Sequence, residues 1–238
     1  RLVSDWSSDV CSSDLCADPE RKVFVVSSAT PQEGKSVTAA NLAVSLALAG
    51  VRVLLVDADL RRPRVHEIFN LPNELGLTSL LSMPPGEASD DTGKVSDRVF
   101  NANTWKQCVQ TTSVPGLQVI TCGFIPKNPT EILGSALMKR WAEVFQKSPN
   151  IDVVIFDTPP CLALSDSTVL AASINAQVVL VIEAQRTRRA AAMKAKERFT
   201  QVNVDVLGVV LNGADSRQDD YYGYGYGYYY SSNTEPKK

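Results

Sequence analysis

The sequence predicts an α/β domain: a mainly parallel sheet with helices on both faces. Three observations carry this. Short runs dense in Val, Ile and Leu alternate with longer Ala/Leu-rich or amphipathic stretches, the pattern of strands buried on both faces and joined by crossover helices. The first run leads into a turn ending Gly34-Lys35-Ser36, followed at once by a helix-like stretch. The composition is ordinary for a globular chain of 238 residues, 44% hydrophobic and 21% charged, and excludes disorder throughout.

The elements follow in order. Lys22–Ser27 is an apolar β-rich run. Residues 35–49 are Ala/Leu-rich and stop at Gly50, a good helix C-terminus. Arg52–Val56 and Leu117–Thr121 read as further strands. Pro129–Lys147 is expected to be one helix, with Leu133, Leu137, Trp141, Val144 and Phe145 on one face. Asp152–Phe156 and Gln177–Ile182 are strands, Arg186–Val202 a helix and Asp205–Leu211 the last strand. Residues 83–114, rich in Pro, Gly and polar side chains, are expected to form a loop or insertion with a short helix near Arg98–Gln110. Residues 1–20 repeat Ser-Asp without a helical or strand period and read as a disordered or foreign segment. The domain proper is expected over 21–214.

Residues 215–238 form a separate polar tail. All seven tyrosines fall between Tyr221 and Tyr230. Gly223, Gly225 and Gly227 between them predict a flexible segment.

Charge and residue counts narrow the function. The net charge of −2 provides no global basic field for nucleic acid or anionic lipid. No apolar run reaches the roughly 20 residues that span a bilayer. Five scattered cysteines suit packing in a reducing compartment. With one histidine, His66, a multi-histidine metal site is excluded. His66 is expected to pack or cap, without a catalytic role.

The chemistry concentrates at the expected carboxyl ends of the strands, where ligands bind in such sheets. Ser27 to Ser36 reads S-S-A-T-P-Q-E-G-K-S, the P-loop pattern with Ala29 in place of its first glycine. Backbone amides over Ala29, Thr30, Pro31, Gln32, Glu33, Gly34, Lys35, Ser36 and Val37 would wrap a phosphate, apart from Pro31, which has none. Lys35 would reach the β- and γ-phosphates, and Ser36 would ligate Mg²⁺. The second strand ends V-L-L-V-D-A-D-L-R-R-P, placing Asp57 and Asp59 at the same edge. One can hold Mg²⁺ through its water shell and the other accept a proton from an incoming hydroxyl. Asp157, after V-V-I-F, is placed to orient Mg²⁺. Asn212, ending the last strand, could read the nucleotide base or simply form a turn with Gly213.

Together these motifs resemble the bacterial tyrosine kinases, the autokinases of capsule and exopolysaccharide biosynthesis. S-S-A-T-P-Q-E-G-K-S resembles that family's Walker A, V-L-L-V-D-A-D-L-R-R-P its Walker A-prime and V-V-I-F-D-T-P-P its Walker B. G-L-T-S-L-L (76–81), G-F-I-P-K-N-P-T-E-I-L (123–133) and G-V-V-L-N (208–212) extend the similarity. The resemblance implies a P-loop NTPase-type fold and ATP with Mg²⁺ as cofactors. It gives catalytic roles to Lys35, Asp57 and Asp59, with Asp57 as general base, and metal roles to Ser36, Asp57 and Asp157. It implies autophosphorylation of Tyr221, Tyr222, Tyr224, Tyr226, Tyr228, Tyr229 and Tyr230, regulating polysaccharide synthesis and export. Implied partners are a transmembrane activator or polysaccharide co-polymerase, fused or separate, a cognate tyrosine phosphatase, and further copies of the chain in a ring. The implied location is cytoplasmic, at the inner face of the bacterial plasma membrane. Before Arg21 the family's E-A-F/Y-R-like ring motif is replaced by the Ser/Asp stretch.

The runner-up reading is a partitioning or site-placement P-loop ATPase. Those proteins usually carry a second lysine early in the loop, where this chain has Ala29-Thr30-Pro31-Gln32-Glu33. A nucleotide-independent scaffold with a Tyr/Gly tail would need none of the three phosphate-site motifs.

Overall fold

The computed structural model describes residues 23–82 and 105–214. In chain order the elements are β1 (Val23–Ser28), α1 (Lys35–Leu48), β2 (Val53–Asp57), α2 (Val65–Phe69), α3 (Leu77–Ser82), a 3-10 turn (Trp105–Gln107), β3 (Val109–Thr111), β4 (Leu117–Ile120), α4 (Pro129–Leu133), α5 (Ala136–Lys147), β5 (Val153–Asp157), α6 (Asp166–Ser173), β6 (Gln177–Glu183), α7 (Arg189–Thr200) and β7 (Val206–Asn212). The strands form one sheet in the order β3-β4-β2-β5-β1-β6-β7. Every neighbouring pair is parallel except β3 with β4. Residues 1–22, 83–104 and 215–238, with the expectations that fall on them, lie outside the described residues.

Two apolar cores flank the sheet. Ala39, Ala43 and Leu46 of α1 pack with Val65 of α2 against Phe24, Val26 and Leu55. On the other face Leu80, Leu133, Met138, Trp141, Phe145, Leu170 and Phe199 pack against Val25, Leu54, Val154 and Leu180. Phe145 is central, with ring centroids 5.7 Å from Trp105 and 6.0 Å from Trp141. Sheet and helices bury on both sides because their side chains alternate with a matching apolar pattern.

Four expectations are corrected. The helix expected over 129–147 breaks at Gly134 and restarts with Ser135 as N-cap, its hydroxyl oxygen accepting the Met138 N–H at 3.1 Å. The helix expected from Arg186 starts at Arg189, because Gln185 has φ +62° and the Thr187 hydroxyl accepts the Glu183 N–H at 2.9 Å, forming a turn. In place of a short helix over the described part of 98–110 there is a 3-10 turn and an antiparallel edge strand. The last strand is not buried on both faces: β7 is an edge, and Leu207, Val209 and Leu211 are exposed.

Candidate active site

β5 lies between β1 and β2, and this order assembles the site. The register pairs Asp157 with Val26 on one side and Asp57 on the other. The turn after β1 enters α1 at Gly34, whose φ of +84° suits a residue without Cβ. A Cβ there would also lie 2.1 Å from Asn212 Nδ2. α1 begins without a side-chain cap. Its first amides therefore have no intrahelical acceptor and carry the positive end of the helix dipole, a ready anion site.

The P-loop is braced from behind. Glu33 is buried and accepts the Thr30 N–H at 2.7 Å and the Thr187 hydroxyl. The Asn212 amide donates to the Glu33 carbonyl at 3.1 Å. Arg186 donates to the Gln32 carbonyl at 3.4 Å and to Gln32 Oε1 at 3.2 Å. Loop conformation is thus set by the ends of β6 and β7, over 150 residues downstream. Glu33 as a brace, with Thr187 as its partner, is not among the sequence expectations. The only available signal is an acid inside the loop.

Lys35 sits among the three aspartates. Its Nζ lies 2.7 Å from Asp59 Oδ2 and 3.6 Å from Asp157 Oδ1, and donates to Ser36 Oγ at 3.1 Å. Burial opposes its charge, but Asp157, Asp59 and Asp57 outweigh burial and the net shift of its pKa is upward. Asp57 Oδ2 accepts the Arg64 and Val65 N–H groups at 3.2 and 3.0 Å, and Oδ1 accepts the Asp59 N–H at 3.2 Å. Even so, burial and then the Asp157 charge push Asp57 well above the usual carboxylate range. Asp59 Oδ1 accepts the Arg61 and Arg62 N–H groups at 3.3 and 3.0 Å. Burial also raises Asp157, and both of its buried oxygens lack a hydrogen-bond partner among the described residues. Three carboxylates around one ammonium leave an excess of negative charge, which a divalent cation would offset. The Asp157 oxygens, beside Ser36 and with only the Lys35 ammonium at 3.6 Å as a charged partner among the described residues, fit Mg²⁺ by the same logic.

A cleft of about 370 Å³ opens above this cluster, lined by Pro31, Gln32, Gly34, Lys35, Ser36, Val37 and Asp59 among others. Arg62, Arg64, Ile68 and Pro160 complete it. The structure therefore brings Lys35, Ser36, Asp57, Asp59 and Asp157 together. Of the expected site residues, Ala29 and Glu33 are buried in the turn, and Asn212 faces the P-loop backbone.

Residues 20–220 match the ParA family, described as NUBPL iron-transfer P-loop NTPase. The tyrosine-protein kinase YwqD of Bacillus subtilis is 40% identical over 207 residues, covering 87% of this chain and 78% of that protein. The tyrosine-protein kinase etk of Escherichia coli is 32% identical over 87% of this chain, which spans 26% of it. The solved kinase domain of etk superposes with a TM-score of 0.70 at 31% identity, covering 87% of this chain and 73% of that domain. The chain belongs to the bacterial tyrosine kinases. Its P-loop fold is a nucleotide-binding one, shared at lower similarity with the septum site-determining protein MinD of Pyrococcus horikoshii, at 18% identity and TM-score 0.57 over 83% of this chain and 72% of that one. No helix among the described residues is long and apolar enough to cross a membrane.

Proposed function

We propose that this kinase uses ATP to phosphorylate its own Tyr221–Tyr230 cluster and thereby regulates exopolysaccharide or capsule synthesis and export. The observation that carries the reading is Lys35, held by Asp59 and Asp157 at the mouth of an uncapped helix. A cation placed there meets phosphoryl oxygens as charge develops on them. The amides of 29–37, Pro31 excepted, bind the phosphates. Asn212, with Oδ1 left to accept, stands at the base side. Ser36 and Asp157 would hold Mg²⁺, with Asp57 contributing through its water shell, and the ion when bound would neutralise charge on the phosphate oxygens.

Asp57 is the base for the incoming phenol. Asp59 is committed to Lys35, whereas Asp57 has its proton affinity raised by burial and keeps a lone pair on Oδ1. The reading extends to an activator or co-polymerase that brings the kinase to the inner face of the membrane, a ring of copies, and a phosphatase that resets the tail.

The test is incubation of the full chain with Mg-ATP and detection of phosphotyrosine, with an activator peptide added if needed. Label should map to 221–230. Lys35→Met should lower the rate at least about 10²-fold, the scale of losing one strong electrostatic contact to the transition state. Undiminished label in that variant rejects the assignment.

A further inference from the structure

β7 ends the sheet on one side, and its outer edge carries no strand among the described residues. Sheet edges are usually guarded by a charge, a proline or a cover. β7 runs V-L-G-V-V-L-N with no charged side chain and no proline. Leu207, Val209 and Leu211 are 45%, 56% and 56% exposed. The register sets Val209 beside Leu180 and Leu211 beside Ile182, so both stand on one face of the sheet. The Ala184 N–H donates to the Asn212 carbonyl at 2.8 Å, so the Asn212 backbone faces β6. By alternation Leu211 and Val209 turn their N–H and C=O groups to the open edge.

The sequence that follows β7 has the same two-residue period. Tyr222, Tyr224, Tyr226 and Tyr228 alternate with Gly223, Gly225 and Gly227. In an extended strand this places those four rings on one face and the glycines on the other. Between the two alternating rows lies G-A-D-S-R-Q-D-D, Gly213 to Asp220, which has the composition of a turn. Gly213 has φ +68°, a conformation that glycine reaches without strain and that starts a reversal of the chain.

We infer that the chain's own tyrosine segment adds to the open edge of β7 as an eighth, antiparallel strand, which holds the tyrosines away from the cleft. Tyr222 lies opposite Leu211, Tyr224 opposite Val209 and Tyr226 opposite Leu207. Each pair exchanges backbone hydrogen bonds and lays an aromatic ring against an aliphatic side chain. The pairing satisfies the open backbone groups of Leu211 and Val209 and covers the exposed row at the same time.

Connectivity selects the chain's own tail. The segment starts where β7 ends, and a tether as short as 213–220 holds it at an effective concentration on the order of millimolar. A second copy at micromolar concentration competes poorly. Glycine at every other position weakens the strand, so the tail can leave the edge. The pairing does not depend on tail phosphorylation, but its effect on labelling rests on that proposal. Tyrosines two apart on one strand face stand roughly 7 Å from each other. Phosphates there, each of about −1.5 to −2 charge, repel, so a labelled tail does not return to β7.

The test is amide hydrogen exchange of the full chain without Mg-ATP, read at single residues by NMR. The amides of Tyr222, Tyr224 and Tyr226 should exchange at least about tenfold slower than in a free peptide of residues 215–232, while Gly223 and Gly225 match the peptide. Leu207→Glu with Val209→Glu should abolish the protection. So should Tyr224→Pro, which removes a ladder donor outside the folded domain. Leu48→Glu, at an exposed position on α1, should leave it intact. Exchange at the peptide's rate throughout the tail, or protection that survives the β7 substitutions, would overturn the pairing. Protection that disappears on dilution would assign the strand to a second copy and also overturn it. Adding Mg-ATP separates the two readings. The released variants should label faster than wild type, and equal rates would remove the restraint on the acceptor. A tail that is protected in wild type, freed by Tyr224→Pro and never phosphorylated leaves the strand standing and rejects tail phosphorylation.

Discussion

Asp57 gains three backbone N–H bonds, which favour its ionised form, yet its proton affinity is raised. What outweighs them is lost solvation: the side chain is fully buried, and Asp157 faces it across one strand spacing. The consequence for stability has a definite sign. A carboxyl that binds its proton more tightly when folded gives the folded state an advantage at low pH. That advantage is lost as pH rises from the unfolded value through the raised folded one. In the chain free of nucleotide and Mg²⁺, wild type should therefore lose stability relative to Asp57→Asn as pH climbs from about 4, by roughly 1.4 kcal/mol for each unit of the shift. Parallel urea titrations of the two proteins across pH 4 to 8 give the difference directly. A difference that stays flat means Asp57 carries no such penalty. Asp157 titrates with it as a pair, so the slope belongs to both. The same excess charge that costs stability without ligand would favour a bound divalent cation.

At the scale of elements, the segment after β2 is held by a contact 105 residues away in sequence. Arg61 Nε and Nη2 donate to Asp166 at 2.6 and 3.2 Å, and Thr130 joins them from α4. Asp166 has no exposure, while Arg61 is partly open. Breaking one side of such a pair leaves a buried group without its partner. Arg61→Met, which leaves the buried Asp166 carboxylate without its cation, should cost about 3 kcal/mol by chemical denaturation. Combining it with Asp166→Asn should recover part of that loss, because the two side chains act as a unit. Strict additivity of the two substitutions would contradict the coupling. No local pattern announces this contact, since Arg61 and Asp166 each read as an ordinary surface charge. By contrast, β1, β2 and β5 are legible in the sequence, with Asp57 and Asp157 at their ends. A continuous apolar run suits a strand covered on both faces, and a carboxylate directly after it marks where that cover stops. The stretch 129–147 reads as one helix, since the apolar period runs through Gly134 and only the Ser135 cap interrupts it. Neither α6 nor β3 is among the sequence expectations. β3 is three residues long and exists through its pairing with β4, a tertiary fact without a local signature. At the site, the convergence of Lys35 with three aspartates is legible as motifs. The Glu33–Thr187 brace is not, because its partners lie 154 residues apart.

At the scale of the whole molecule, the decisive question is which cleft a tail enters. The cleft lies over β1, β5 and β2, and the chain leaves the described domain at β7, an edge of the same sheet. Chain length lets the distal tyrosines approach either their own cleft or that of another copy. Phosphate on the tail adds about −1.5 to −2 charge per tyrosine, and the receiving site already holds three carboxylates around one lysine. If the proposed tail phosphorylation occurs, a tail bearing several phosphates would be repelled from the site, and any association of copies through the tail would weaken. Mixing two chains tests the direction of transfer. One carries Lys35→Met and keeps its tyrosines, and the other keeps Lys35 with all seven tyrosines changed to Phe. Lys35→Met removes the counter-charge of buried aspartates and should be destabilised by roughly 1–3 kcal/mol, so its fold is checked by circular dichroism beforehand. Phosphotyrosine should appear on the Lys35→Met chain, with a rate that rises with the concentration of the partner chain. A folded Lys35→Met chain that stays unlabelled, while wild type labels at a rate independent of its own concentration, assigns transfer to the tail of the same molecule and defeats the exchange between copies.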